Sequence, residues 1–241
     1  MNVVARWSES QGKRVADVLL SGIGGLAVSP LLLLCACAVR WFDGPRVIFR
    51  QTRVGAEGRP FTILKFRTMH AGAPGPQITA SGDPRITRLG RALRRFKLDE
   101  LPQLLNVFRG DMSMVGPRPE LPNYVSRHAA VYRRLGRMRP GITDWASLAF
   151  RDEEALLAQN AGVPDYYVAV LLPKKLALAR LYRRHASAWL DLRLVLATVF
   201  AACHMDALMG AFAGSPAHRA WDAVARFGTP STFPLQEMPQ R

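Results

Sequence analysis

The chain is poor in cysteine: it has Cys35, Cys37 and Cys203, and two of these sit inside an apolar run. They form neither a zinc-ligand spacing nor a disulfide framework, which fits a reduced body facing the cytosol. The sequence also lacks a Walker loop, a Gly-x-Ser-x-Gly elbow and a His-Glu-x-x-His helix. The common NTPase, serine hydrolase and metalloprotease mechanisms are therefore without their parts. Acidic residues are scarce, 18 Asp and Glu against 33 Lys and Arg, leaving a net charge of +15. Such a surface suits anionic partners: nucleic acid, anionic lipid or phosphorylated small molecules. Nucleic acid is the less suited of these. Between Pro84 and Pro140 there are thirteen Lys or Arg, but the only Phe, Trp or Tyr residues available for stacking bases are Phe96, Phe108, Tyr124 and Tyr132. A solvated basic face is the plainer reading of that window, and phosphates at a membrane surface are the sharper one.

What the chain does have begins with an apolar run over 15–39, broken by Asp17, Ser21, Ser29, Pro30 and three glycines. Three readings compete. A cleaved signal peptide would need a shorter run and a secreted-looking body. A dinucleotide loop at Gly22-Ile23-Gly24-Gly25, with Asp43 as the distant acid, would need a helix that Pro30 interrupts at once. A membrane helix of about 37 Å suits the length best. Basic residues flank it on both sides (Arg6, Lys13 and Arg14 before; Arg40, Arg46, Arg50 and Arg53 after), so charge asymmetry gives no orientation. With Pro30 breaking the run, and Ser29 placed to satisfy a freed carbonyl, a hairpin that re-enters the same face and a kinked span are equally supported.

Beyond the run, 47–49 and 61–64 read as the strands of a β-hairpin around the Gly55–Gly58 turn, and 71–84 as a loop. Helical patterns start at Arg85 and near Asp99, and recur over 122–136, 152–159 and 165–185. The 190–213 segment is apolar yet carries Asp191, Arg193, His204 and Asp206, as a core or interface-lying helix would. From Gly214 the chain is rich in proline and small residues.

Two motifs carry candidate chemistry. Leu98-Asp99-Glu100-Leu101-Pro102 is expected to open a helix, with Asp99 as N-cap. Capping alone would account for it. The same place also suits a carboxylate nucleophile beside a carboxylate that holds a divalent metal. Gly116-Pro117-Arg118-Pro119 is a stiffened loop that could hold a guanidinium ready for phosphate.

Lys65-Phe66-Arg67-Thr68-Met69, Leu98–Leu104, Gly110–Pro119 and Arg139-Pro140-Gly141-Ile142-Thr143, in that order, resemble the bacterial sugar transferase family. Its members are monotopic polyprenyl-phosphate phosphoglycosyl transferases. The likeness runs from about Lys13 to about Thr198. It implies that Asp99 is the nucleophile and Glu100 its partner in a catalytic dyad that binds Mg2+. It implies that Lys65, Arg67, Arg94 and Arg118 serve phosphate binding or site architecture. Ser29-Pro30 matches the break of a re-entrant helix, which tips the balance to the hairpin. Asp144-Trp145-Ala146-Ser147 departs from the family's usual Gly-Trp-Ala-Gln, so the polar contacts of that stretch are not carried over.

The expectation is therefore a helix-rich α/β protein: an N-terminal segment with a membrane-embedded re-entrant helix over 1–41, a compact cytosolic catalytic body with a small β-hairpin over 42–213, and a loose tail over 214–241. It would move a sugar-1-phosphate from a UDP-sugar to a polyprenyl phosphate at the cytoplasmic face of the bacterial inner membrane. Its partners would be the donor, the acceptor and anionic lipid, without nucleic acid, and a homo-oligomer stays open. The rivals are a basic membrane-surface nucleic-acid binder and a non-catalytic scaffold.

Overall fold

A computed structural model describes residues 7–162 and 165–205. The tail expected over 214–241, and the end of the 190–213 segment, lie outside them. The apolar run is two helices, α1 (Gln11–Ala27) and α2 (Ser29–Phe42), bent by 63°. The bend has a local cause. Pro30 has no N–H to give the Leu26 carbonyl, and the Ser29 hydroxyl donates to that same oxygen at 2.8 Å. Gly22 to Gly25 lie within α1, so no phosphate-binding turn forms there. No single described helix is long and apolar enough to cross a membrane, and the bent pair reaches that mark only when its two helices are taken together, by length and composition.

α1 is inside out. Its polar residues Lys13, Asp17 and Ser21, four apart, are buried against the body, while Val15, Leu19, Ile23 and Leu26 face outward. Two of the run's polar interruptions, Asp17 and Ser21, thus form its docking face together with Lys13. Asp17 accepts from the Met114 backbone N–H at 2.9 Å, and Lys13 reaches Asp191 at 2.5 Å. Arg14 donates to the Val107 and Phe108 carbonyls, tying α1 to the end of a later helix. On α2, Cys35 and Val39 pack with Phe66 and Leu93, leaving Leu33, Leu34, Phe42 and Trp41 exposed, Trp41 by 85%.

The expected hairpin is present. β1 (Ile48–Val54) and β2 (Pro60–Phe66) pair antiparallel, Ile48 opposite Phe66 and Val54 opposite Pro60. The 71–84 stretch has no regular structure. α3 (Arg88–Arg95) begins three residues later than its pattern suggested, because Thr87 caps it by accepting from the Gly90 N–H at 2.8 Å. Gly90 is required there: a Cβ would lie 2.1 Å from the Thr68 carbonyl oxygen.

The helix expected from Asp99 starts later and without that cap. Leu98–Glu100 form a single 3-10 turn, and α4 runs Gln103–Arg109. A cap at Asp99 would need an N–H from Leu101 or Pro102. Proline has none, and the Leu101 N–H is bonded to the Leu98 carbonyl. From α4, buried Asn106 bonds the free edge of β2, donating to the Thr62 carbonyl (2.8 Å) and accepting from the Leu64 N–H (3.0 Å). One amide therefore sets the register between the hairpin and the Asp99 turn.

β3 (Ser113–Val115) pairs in parallel with β4 (Gly141–Thr143). Gly116 and Gly141 meet so closely that a Cβ on Gly141 would lie 2.1 Å from the Gly116 nitrogen. Around this pair pack α5 (Pro122–Arg127), α6 (Ala129–Leu135), α7 (Trp145–Ala149), α8 (Glu153–Gln159), α9 (Leu172–His185) and α10 (Ala188–Ala202). The main core joins Val115, Trp145, Leu171, Leu172, Tyr182 and Leu194. α10 buries Leu194, Ala197 and Ala201 and exposes Trp189, Leu192 and Val199, so it is both a core helix and a surface one.

Candidate active site

The Asp99 turn, the end of β2 and the loop after β3 converge. Glu100 Oε1 accepts from Lys65 Nζ and from an Arg118 terminal nitrogen, each at 2.7 Å. Lys65 comes from β2, placed by the Asn106 contacts to its neighbours. Arg118 comes from a loop held to β4: the Gly116 N–H donates to the Thr143 carbonyl and the Gly141 N–H to the Pro117 carbonyl, both at 3.0 Å. The two prolines and these two bonds leave that backbone little freedom.

The adjacent carboxylates are treated in opposite ways. Burial alone would raise the Glu100 carboxyl, but Arg118 and Lys65 outweigh it and hold it well below the usual carboxylate range. Burial, joined by the Glu100 charge, raises the Asp99 carboxyl, and Lys65, Arg94 and Lys97 oppose this only in part. Asp99 is 7% exposed, and its Oδ1 is buried with no hydrogen-bond partner. A buried, unpartnered carboxylate oxygen in the field of several cations is costly to keep and is poised for an electrophile or a cation. Burial likewise lowers the Lys65 ammonium, which Glu100 partly restores.

Arg94, on α3, is close enough to lower Asp99 and is held by two bonds. It donates to Thr68 Oγ1 at 2.9 Å and to Glu154 Oε1 at 2.7 Å. Arg67 stands apart from this group: its side chain bonds the Asp43 carbonyl at the end of α2, and Thr87 Oγ1 donates to the Asp43 carboxylate at 2.9 Å. Lys65, Arg94, Asp99, Glu100 and Arg118 are thus gathered, whereas Arg67 braces α2 against β2. Ser29 and Pro30 lie at the helix break.

A magnesium ion takes oxygen ligands and usually keeps one or two carboxylates with substrate phosphates. Asp99 and Glu100 supply such oxygens, and Asp99 Oδ1 has none of its capacity used. Among the described residues no three His, Cys, Asp or Glu side chains gather into a metal-holding group. The donor set therefore fits a metal shared with phosphate oxygens.

Sequence reasoning did not single out Thr68, Asn106, Glu120 or Glu154. Glu120 is buried, accepts from the Tyr167 hydroxyl and lies near Arg53 and Arg118. Thr68 lies in the Lys65–Met69 motif and Glu154 in the helical 152–159 pattern, but their contacts are purely tertiary.

Known proteins resemble this chain in sequence. A UDP-glucose:undecaprenyl-phosphate glucose-1-phosphate transferase of Caulobacter vibrioides is 42% identical over 193 residues, covering 78% of this chain and 68% of the relative. An Escherichia coli K12 protein of the same name is 37% identical over 78% of this chain but 39% of its own length. An Aeromonas hydrophila UDP-N-acetylgalactosamine-undecaprenyl-phosphate N-acetylgalactosaminephosphotransferase is 34% identical, and 42% of it is covered. The chain thus spans well under half of several relatives. The family described as bacterial sugar transferase matches residues 8–205, most of the chain and all of the site, and the chain belongs to that family.

Proposed function

We propose that the protein transfers a sugar-1-phosphate from a UDP-sugar to undecaprenyl phosphate, a first membrane step of polysaccharide assembly, through an aspartyl-phosphosugar intermediate. The observation that carries this reading is Asp99 Oδ1, buried and unpartnered in a carboxyl on which the charges of Lys65, Arg94 and Lys97 act. Asp99 attacks the β-phosphorus, the bond to the UMP oxygen breaks, and UMP leaves with the electron pair. The acceptor's phosphate oxygen then attacks the same phosphorus and frees Asp99. Phosphoryl transfer needs mainly positioning and charge neutralisation, which Arg94, Arg118 and Lys65 supply. Glu100 stays ionised and keeps Lys65 and Arg118 aimed at the site. Asp99 and Glu100 would hold a magnesium ion with the donor's phosphate oxygens, and when bound it would neutralise phosphate charge.

The outward apolar face of α1 and α2 supports a re-entrant pair dipping into the cytoplasmic leaflet. Ile23, Leu26, Leu33, Leu34 and Trp41 face lipid there, and Arg40 lies at the headgroups. Relatives named for glucose and for N-acetylgalactosamine define the donor panel.

The test omits the acceptor. Incubated with UDP-sugars alone, the protein should release about one UMP per site and carry a hexose-phosphate mass on the peptide containing Asp99. UMP that appears only with undecaprenyl phosphate present would rule out the covalent route.

A further inference from the structure

Arg94 is the one cation of the site whose carboxylate partner comes from outside it. Glu154 Oε1 sits 2.7 Å from the guanidinium, and its side chain is 44% exposed, against 12% for Glu100. Arg94 is independently positioned by Thr68 Oγ1 at 2.9 Å, so it does not need Glu154 to hold its place. Glu154 belongs to the first turn of α8. In that turn Glu153 pairs with Lys175 at 2.6 Å and contributes to the field at Arg118. The Ser81 N–H also donates to the Glu154 carbonyl at 2.8 Å, so the same turn holds the 71–84 loop. Two carboxylates of one helical turn thus act on cations of the site, from the side of that loop.

We propose that Glu154 is a placeholder anion: it occupies Arg94 in the free protein, and the donor's diphosphate displaces it. The inference rests on the phosphosugar-transfer reading and deepens it. A half-exposed ion pair is weak and solvent-screened, whereas a diphosphate brings more charge and several acceptor oxygens to the same guanidinium fork. Displacement would loosen α8 and the loop joined to it as the donor enters. It would also keep the Arg94 guanidinium from binding stray monoanions between turnovers.

The two roles open to Glu154 give opposite signs. A carboxylate that merely braces Arg94 helps binding, so its loss weakens donor affinity. A placeholder competes with the donor, so its loss strengthens affinity. The experiment uses the full chain in lipid nanodiscs with Asp99→Asn to prevent turnover, titrated with UDP-glucose, UDP-N-acetylgalactosamine and pyrophosphate. Adding Glu154→Gln should tighten binding about two- to fivefold, the worth of an exposed pair. Glu154→Asp, which withdraws the carboxylate by one methylene, should fall between. With Arg94→Gln also present, the gain from Glu154→Gln should vanish.

Unchanged or weaker binding in Glu154→Gln, or a gain that persists without Arg94, overturns the proposal. If pyrophosphate shows the Arg94-dependent gain while neither UDP-sugar binds, the placeholder stands and the donor reading falls. If a UDP-sugar binds well and no ligand gains, the placeholder alone falls.

Discussion

Two clusters of buried charge in this protein are finished differently. Around Asp191 both carboxylate oxygens are taken: Oδ1 by the Tyr182 hydroxyl at 2.6 Å, Oδ2 by Lys13 at 2.5 Å and the Trp7 indole at 2.9 Å. Around Asp99, although three cations (Lys65, Arg94 and Lys97) act on its carboxyl, Oδ1 has no partner at all. The first cluster fastens α1 to α10. The second leaves bonding capacity unspent in the interior, which folding alone does not reward. The difference separates a fastener from a site: charge burial is common to both, and completeness is not.

Breaking each cluster should therefore break a different property. Asp99→Asn, nearly isosteric and free to stay buried, should reduce turnover at least about a thousandfold, as loss of a nucleophile does. Its melting temperature should not fall. UMP release measured beside a thermal melt checks both halves. Turnover near the wild-type level would place Asp99 with the fasteners.

Asp191→Ala should do the reverse. It strands Lys13, which is 4% exposed, without its closest partner, and breaking a buried pair costs about 3–5 kcal/mol. For a domain of this size that is roughly a 10 °C fall in melting temperature. Molecules that remain folded below that melt should still release UMP at the wild-type rate. A lost rate with an unchanged melt would erase the distinction between the clusters.

How much of this was legible in the sequence follows the range of the interactions. The hairpin showed because both strands and their turn are contiguous, and α3 showed through its apolar stripe, although its start moved to the Thr87 cap. Bringing Lys65, Glu100 and Arg118 together spans up to 53 positions and was legible only through family likeness. Reading Asp99 as a cap failed on one atom, the N–H that Pro102 lacks. The inward face of α1 was within reach: Lys13, Asp17 and Ser21 are spaced four apart, a helical stripe. Asp17 and Ser21 read as interruptions of an apolar run and Lys13 as part of its basic flank, because burial normally favours the apolar side. Arg67, in the same motif as Lys65, sits two positions further on, and the backbone carries it to Asp43 instead of Glu100. Nothing local distinguishes the two.

The finest way to sharpen the comparison is the pH dependence of stability, because the incomplete cluster should carry a cost that the complete one does not. Asp99 has its folded-state carboxyl raised above the ordinary value near 3.9, chiefly by burial. In the folded protein it therefore keeps a proton at pH values where the unfolded chain has released one. Its contribution is most favourable below the unfolded value and is lost as pH rises through the folded one. Above that window the full cost of an ionised, unpartnered carboxylate remains. Asparagine carries no such charge, so Asp99→Asn should be more stable than wild type at neutral pH, by about 1 kcal/mol on the scale of a buried unmet polar group. The gain should shrink as pH falls through the raised Asp99 value and be gone below about pH 4. Wild-type UMP release should lose activity on the acid side over the same raised range, since attack requires the ionised form. Paired melts from pH 4 to 8, with initial rates at each pH, measure both. A gain constant across the range, or a variant less stable at pH 7, would mean that Asp99 has a partner in solution and that the two clusters are alike.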